Sequence, residues 1–199
     1  MNLSNNMYSR IVTTFIFSLA YAILRYNIFG NVKWEDLPLY VTNKALSLTV
    51  VLLLLLSLFG KNKTHFAGIK FWKTIFLITT LHAFISFKLL GPEYYNKFYL
   101  ENELNITGYL TLFFGIVAFV GILILYSDNL LPTENGKLII PNLIKRKIRT
   151  LIPILTAGHL ISMGVLGWLK PYNWYGYLLP ISLIAFIAIV AYIYITKQK

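Results

Sequence analysis

Six long apolar runs, nearly free of charge, divide the chain, and each is long enough to cross a bilayer as a helix. A helix needs about 20 such residues to span the hydrocarbon, because only a helix satisfies its own backbone polar groups there. The runs are Ile11–Phe29, Asn43–Phe59, Thr74–Leu90, Thr107–Ser127, Thr150–Leu169 and Tyr177–Thr196. Six spans and their loops use up the 199 residues, so 1–199 is expected to be a single transmembrane domain. With 13% charged residues and 57% hydrophobic ones, a soluble enzyme, a disordered tail and a nucleic-acid-binding domain are excluded. The net charge of +11 belongs with a membrane rather than a nucleic acid, because apolar runs separate the basic residues. The expected fold is an all-α integral membrane protein, a six-helix bundle.

Charge distribution gives an orientation. With the N-terminus, the 60–73 loop, the 128–149 loop and the C-terminus on one side, that side holds 12 basic residues and the other five. Lysine and arginine concentrate in the cytoplasm, so both termini are expected there. Trp34, Tyr94, Tyr95, Tyr172, Trp174 and Tyr175 then fall in the outer loops, at headgroup level. Arg25 and the missing Ala-x-Ala-like site near residue 30 argue that the first run is a retained helix, not a cleaved signal. The 128–149 loop reads as a turn followed by a short interfacial segment. Its cluster Lys145–Arg149 suits an anionic leaflet, where each basic residue gains about 1 kcal/mol, or an acidic docking partner.

Cysteine is absent, which removes disulfides, thiolate metal sites, iron–sulfur clusters and covalent haem attachment. Histidine occurs three times. His65 lies in an inner loop, but His82 and His159 fall eight and nine residues into the third and fifth spans. Both spans run outwards, so the two imidazoles are expected level with each other, about 12 to 14 Å deep. Ionisable residues at that depth face the bundle interior and find a partner. Thr79 and Ser86 share a helical face with His82, and Thr156, Ser162 and Met163 share one with His159. Gly158, Gly164 and Gly167 thin the fifth span, and Gly108, Thr111, Gly115 and Ala118 form a small-residue stripe on the fourth.

Two histidines level on parallel helices suit a b-type haem, whose iron takes an imidazole nitrogen on each side. His82 and His159 are then the axial ligands, with Thr79, Ser86, Thr156 and Ser162 placed to orient them. Zinc or copper fits less well, because no third histidine, cysteine or buried carboxylate lies at that level. The plain alternative is that the histidines hydrogen-bond between helices, in a non-catalytic membrane subunit or a small-solute carrier without haem. Pro153 and Pro180 fall in the first turns of their runs, so the broken helices of a carrier are not expected. Arg25, near the outer end of the first span, either snorkels to the headgroups or pairs with a haem propionate or an anionic substrate.

The stretch Lys73-Thr-Ile-Phe-Leu-Ile-Thr-Thr-Leu-His82 resembles the third helix of ferric-reductase-like transmembrane domains. That family includes the haem membrane subunit of bacterial methionine sulfoxide reductase systems. Gly108-Tyr-Leu-Thr-Leu-Phe-Phe-Gly, running on to Tyr126-Ser127-Asp128, is similar to the family's fourth helix, and Ile148-Arg149-Thr150-Leu151 through Gly158-His159 to its fifth. The resemblance covers roughly residues 68 to 169. Two-haem members carry a second histidine on each ligand helix, whereas here Arg146 stands thirteen residues before His159 and the third span has one histidine. The resemblance therefore implies one haem b and an electron-transfer subunit of an oxidoreductase in a bacterial inner membrane. The chain has no nucleotide-binding loop, so the electrons would come from a cytoplasmic flavoprotein or a membrane quinol.

Overall fold

A computed structural model describes residues 3–59, 69–130 and 140–198. His65, with Lys61, Lys63, Glu134, Lys137 and Lys199, lies outside the described residues. Six long helices account for most of the rest: α1 Leu3–Ile23, α2 Thr42–Leu56, α3 Ile69–Lys88, α4 Ile106–Leu130, α5 Asn142–Trp168 and α6 Ile181–Lys197. The chain is an all-α membrane bundle. Among the described residues five helical segments are long and apolar enough to cross a membrane alone. The third counts as a sixth when Phe71–Lys88 is taken with Pro92–Phe98, to which it is bent by 103°.

Several helices extend beyond their apolar runs. The wider turn Leu24–Ile28 prolongs α1, and the turns Trp34–Asp36 and Leu37–Val41 lead without a break into α2. Pro38 sits in the first turn of that lead, where its missing N–H removes no helical bond. The third helix begins at Ile69 rather than Thr74, and the fifth at Asn142 rather than Thr150. Hydropathy marks only the part of a helix that sits in lipid, whereas backbone bonding carries α5 on through Lys145–Arg149. The interfacial segment expected there is therefore the first turns of α5. Pro153 consequently falls inside that helix, not in its first turn, and leaves the Arg149 carbonyl without its i+4 donor.

Neighbouring helices close a ring in the order α2, α3, α4, α5, α6 and back to α2, with α1 packed on the outside of α2. The tightest pair is α4 with α5. Their contact uses the small-residue stripe: a Cβ at Gly121 would meet Ile152 at 3.0 Å, and Ala118 is buried. Without a hydrophobic drive between helices in lipid, close backbone approach is what holds such pairs. α2 is the central element, with Leu48, Leu53 and Thr49 fully buried against Phe71 and Ile75 of α3 and Ala185 and Ile189 of α6. Phe17, Phe84, Phe113, Leu166 and Tyr194 point outward and are well exposed, a surface that belongs in a bilayer.

Between α3 and α4 the chain folds back over the bundle. The turns Pro92–Tyr95 and Asn96–Phe98 lead into a hairpin of β1 Tyr99–Leu100 and β2 Glu103–Leu104, paired Tyr99 to Leu104 and Leu100 to Glu103. Glu101 and Asn102 both take positive φ, the two-residue turn whose twist matches the strands. Asn105 accepts from the Gly108 N–H at 3.0 Å and so caps α4. Tyr95 and Phe98 of this segment are buried with Leu89, near Ile85 of α3 and Met163 of α5, so that it forms a cap over that end of the bundle.

Candidate functional site

His82 and His159 sit on α3 and α5, two helices that are not neighbours in the ring. Each imidazole leans on a different intervening helix. His82 Nδ1 lies 2.7 Å from Asn43 Oδ1, on α2. The Asn43 amide donates from Nδ2 to Ser86 Oγ at 2.9 Å, an orientation that leaves Oδ1 to accept from the ring. Asn43 is fully buried, so its hydrogen bonds are made away from water.

His159 Nδ1 lies 2.8 Å from the carbonyl oxygen of Thr111 on α4. A carbonyl only accepts, so Nδ1 carries the proton. Thr111 O also belongs to the helical bond with the N–H four residues on, at Gly115, and the missing side chain there lets the ring reach it. A Cβ on Gly115 would stand 2.9 Å from His159 Nδ1. Ser162 Oγ, one turn further along α5, is 3.1 Å from Thr111 Oγ1 and closes the contact.

Both imidazoles thus hold the tautomer with the lone pair on Nε2. Among the described residues neither Nε2 makes a hydrogen bond. The two rings are close enough to interact electrostatically. An Nδ1–H fixed by an oxygen acceptor, with Nε2 free, is how a histidine is prepared to ligate a metal. The donor set therefore fits an iron porphyrin with one imidazole on each side. Among the described residues no group of three or more His, Cys, Asp or Glu gathers, as a tetrahedral metal site needs.

The residues expected around the histidines divide into two groups. Ser86 and Ser162 join their hydrogen-bond networks. Thr79 and Thr156 instead bond back to their own helices, at Ile75 O (2.7 Å) and Ile152 O (2.9 Å). Arg25 is buried between the rings of Tyr26 (5.7 Å) and Tyr175 (5.4 Å) and donates to the Leu178 carbonyl. The structure thus ties it to the loop before α6 and does not bring it to the histidines. The glycines of α5 serve packing: Gly158 is covered by Phe114 and Gly164 by Trp168 and Ser182, while Gly167 faces open space. Asn43 is the residue that sequence reasoning missed, and its signal was a carboxamide at the very start of an apolar run.

The full helices α3 and α5 are longer than their apolar runs, so positions counted along them differ. His82 is six residues from the C-terminal end of α3 and thirteen from its N-terminal end, about 9 and 20 Å. His159 is nine residues from the C-terminal end of α5 and seventeen from its start. Both imidazoles are nearer the capped ends of their helices only because α3 and α5 begin before their apolar runs; within those runs each stays near the middle. Compared with known proteins, the chain matches no family model, no curated protein and no solved structure.

Proposed function

We propose that this protein is a membrane b-type cytochrome, an electron-transfer subunit in which His82 and His159 hold one haem through Nε2. The observation that carries the reading is the matched state of the two rings: Nδ1 tied to an oxygen acceptor on a neighbouring helix, Nε2 without a partner. Bound there, the haem would supply one-electron redox chemistry. Asn43 and Thr111 set the ring orientations, Ser86 and Ser162 brace those two, and the buried Tyr95 and Phe98 of the cap keep water out.

In this reading six helices cross the membrane and both termini are cytoplasmic, so the cap faces outward. The positive-inside asymmetry supports that orientation. The site then lies about 20 Å along α3 from the helix's inner end and near the middle of its apolar run. The electron donor is a quinol dissolved in the membrane or a cytoplasmic flavoprotein. The inner face, with Arg146, Lys147 and Arg149, remains a docking surface for an acidic partner. A bacterial inner membrane is the setting that the ferric-reductase-like resemblance implies. The carrier alternative is weakened by α5, which runs unbroken past His159 instead of offering two half-helix ends.

The test is the dithionite-reduced minus oxidised spectrum of the full chain purified from cells supplied with haem. The reading expects a sharp b-type Soret and α band at one haem per chain. A featureless spectrum from folded protein would sink it.

A further inference from the structure

Two lysines stand at the capped end of the histidine site without a carboxylate. Lys44, the residue after Asn43, places its Nζ 4.9 Å from the Tyr40 ring centre and 4.5 Å from that of Tyr95, and 3.4 Å from Tyr95 Oη. Lys97, in the cap, donates to the carbonyl of Met163, one turn beyond His159 on α5, and lies 5.2 Å from the Phe98 ring centre. Lys44 is within electrostatic reach of both imidazoles and of Lys97, and Lys97 is within reach of His159. Among the described residues no ion pair joins either ammonium. The carboxylate of Asp36 is engaged by Tyr94.

Aromatic faces and a single neutral acceptor stabilise an ammonium only in part, and a cation withdrawn from water calls for an anion. That holds for Lys44, which is half-buried, whereas Lys97 is exposed at the rim of the same capped side. Two cations on that side, with no carboxylate bonded to either among the described residues, suit two anionic groups on one edge of whatever sits between the rings. We propose that Lys44 and Lys97 bind the two propionate carboxylates of the porphyrin, so that its charged edge points towards the cap and its vinyl edge into the bundle. This rests on the haem reading above and adds the residues that orient the ring in its plane. The two lysines replace the role that sequence position offered to Arg25.

The full-length apoprotein in lipid nanodiscs is titrated with iron protoporphyrin and, separately, with its dimethyl ester, which keeps the ring and iron but has no carboxylates. The expected result is a bis-histidine spectrum with both, the free acid binding roughly tenfold tighter per lysine engaged. In the double variant Lys44→Met, Lys97→Met the free acid should fall to the ester's affinity while the ester is unchanged, which also shows that the variant is folded. Lys44→Arg, Lys97→Arg should restore the difference. If the wild type binds both porphyrins equally, or the Met variant still prefers the free acid, the lysine assignment is overturned and the haem reading stands. If neither porphyrin gives a bis-histidine spectrum, the haem reading fails and this proposal fails with it.

Discussion

Replacing Asn43 by leucine removes one side chain and two interhelical hydrogen bonds while keeping the volume. In the structure the amide accepts from His82 at 2.7 Å and donates to Ser86 at 2.9 Å, in a fully buried position. Interhelical bonds in membrane bundles are worth about 0.6 kcal/mol each. Stranding the His82 Nδ1–H without an acceptor adds about 1 to 3 kcal/mol. The sum predicts that Asn43→Leu destabilises the bundle by roughly 2 to 4 kcal/mol. Losing a group that orients a ligating histidine should also weaken haem binding roughly 10- to 100-fold. Reversible unfolding in bicelles measures the first quantity and haem titration the second. A cycle with Ser86→Ala isolates the amide–hydroxyl bond. Nitrogen-15 spectra of the imidazoles report the tautomer directly. A loss under about 0.5 kcal/mol, the range of an inert surface change, with His82 still protonated on Nδ1, would refute the reasoning.

Gly115→Ala should push the His159 ring off the Thr111 carbonyl, because the new methyl would lie 2.9 Å from Nδ1. A destabilisation of about 1 to 3 kcal/mol is expected, seen in the same unfolding assay. Thr79→Val and Thr156→Val should leave stability and haem affinity almost unchanged, since both hydroxyls bond only to their own helices; Ser86→Ala and Ser162→Ala should not. In the cap, the hydrogen bond from Tyr94 to Asp36 at 3.1 Å, helped by the carboxylate charge, raises the phenol above its ordinary pKa. That contact therefore stabilises the fold below the phenol's ordinary pKa of about 10, and its contribution is lost as the pH rises through the higher folded value. Asp36→Asn should bring the Tyr94 titration back down, as followed by carbon-13 tyrosine spectra. The orientation can be read with single thiols, because the chain has no cysteine of its own. An impermeant maleimide should label Tyr172→Cys on intact cells and Gln198→Cys only after the membrane is opened; the reverse pattern would invert the topology.

The sequence revealed the membrane class and the positions of the helices, because the cost of charge in hydrocarbon is written directly into composition. Their true lengths were hidden: α3 and α5 continue through lysine- and arginine-bearing turns that hydropathy scores as loop. That extension put Pro153 inside a helix. The two histidines stood out as ionisable residues in apolar runs. Their partners did not, because Asn43 and the Thr111 carbonyl are set by how α2 and α4 are rotated against α3 and α5, which no single helix's pattern contains. Gly115 was visible as one of a stripe of small residues, but its particular task, giving His159 access to a backbone carbonyl, depends on the neighbour that arrives there. Arg25 shows the converse. Its charge invited a ligand, yet its position on α1 commits it to Tyr26, Tyr175 and the Leu178 carbonyl.

The central claim is that two histidines, and not the third, hold one haem. The most direct measurement is haem content and the low-temperature electron paramagnetic resonance spectrum of the oxidised protein, with His65→Ala, His82→Ala and His159→Ala prepared alongside the wild type. The account predicts one low-spin bis-imidazole ferric centre per chain, kept in His65→Ala and lost from the other two. Retention of that centre in either His82→Ala or His159→Ala, or its absence from well-folded wild type, would contradict it.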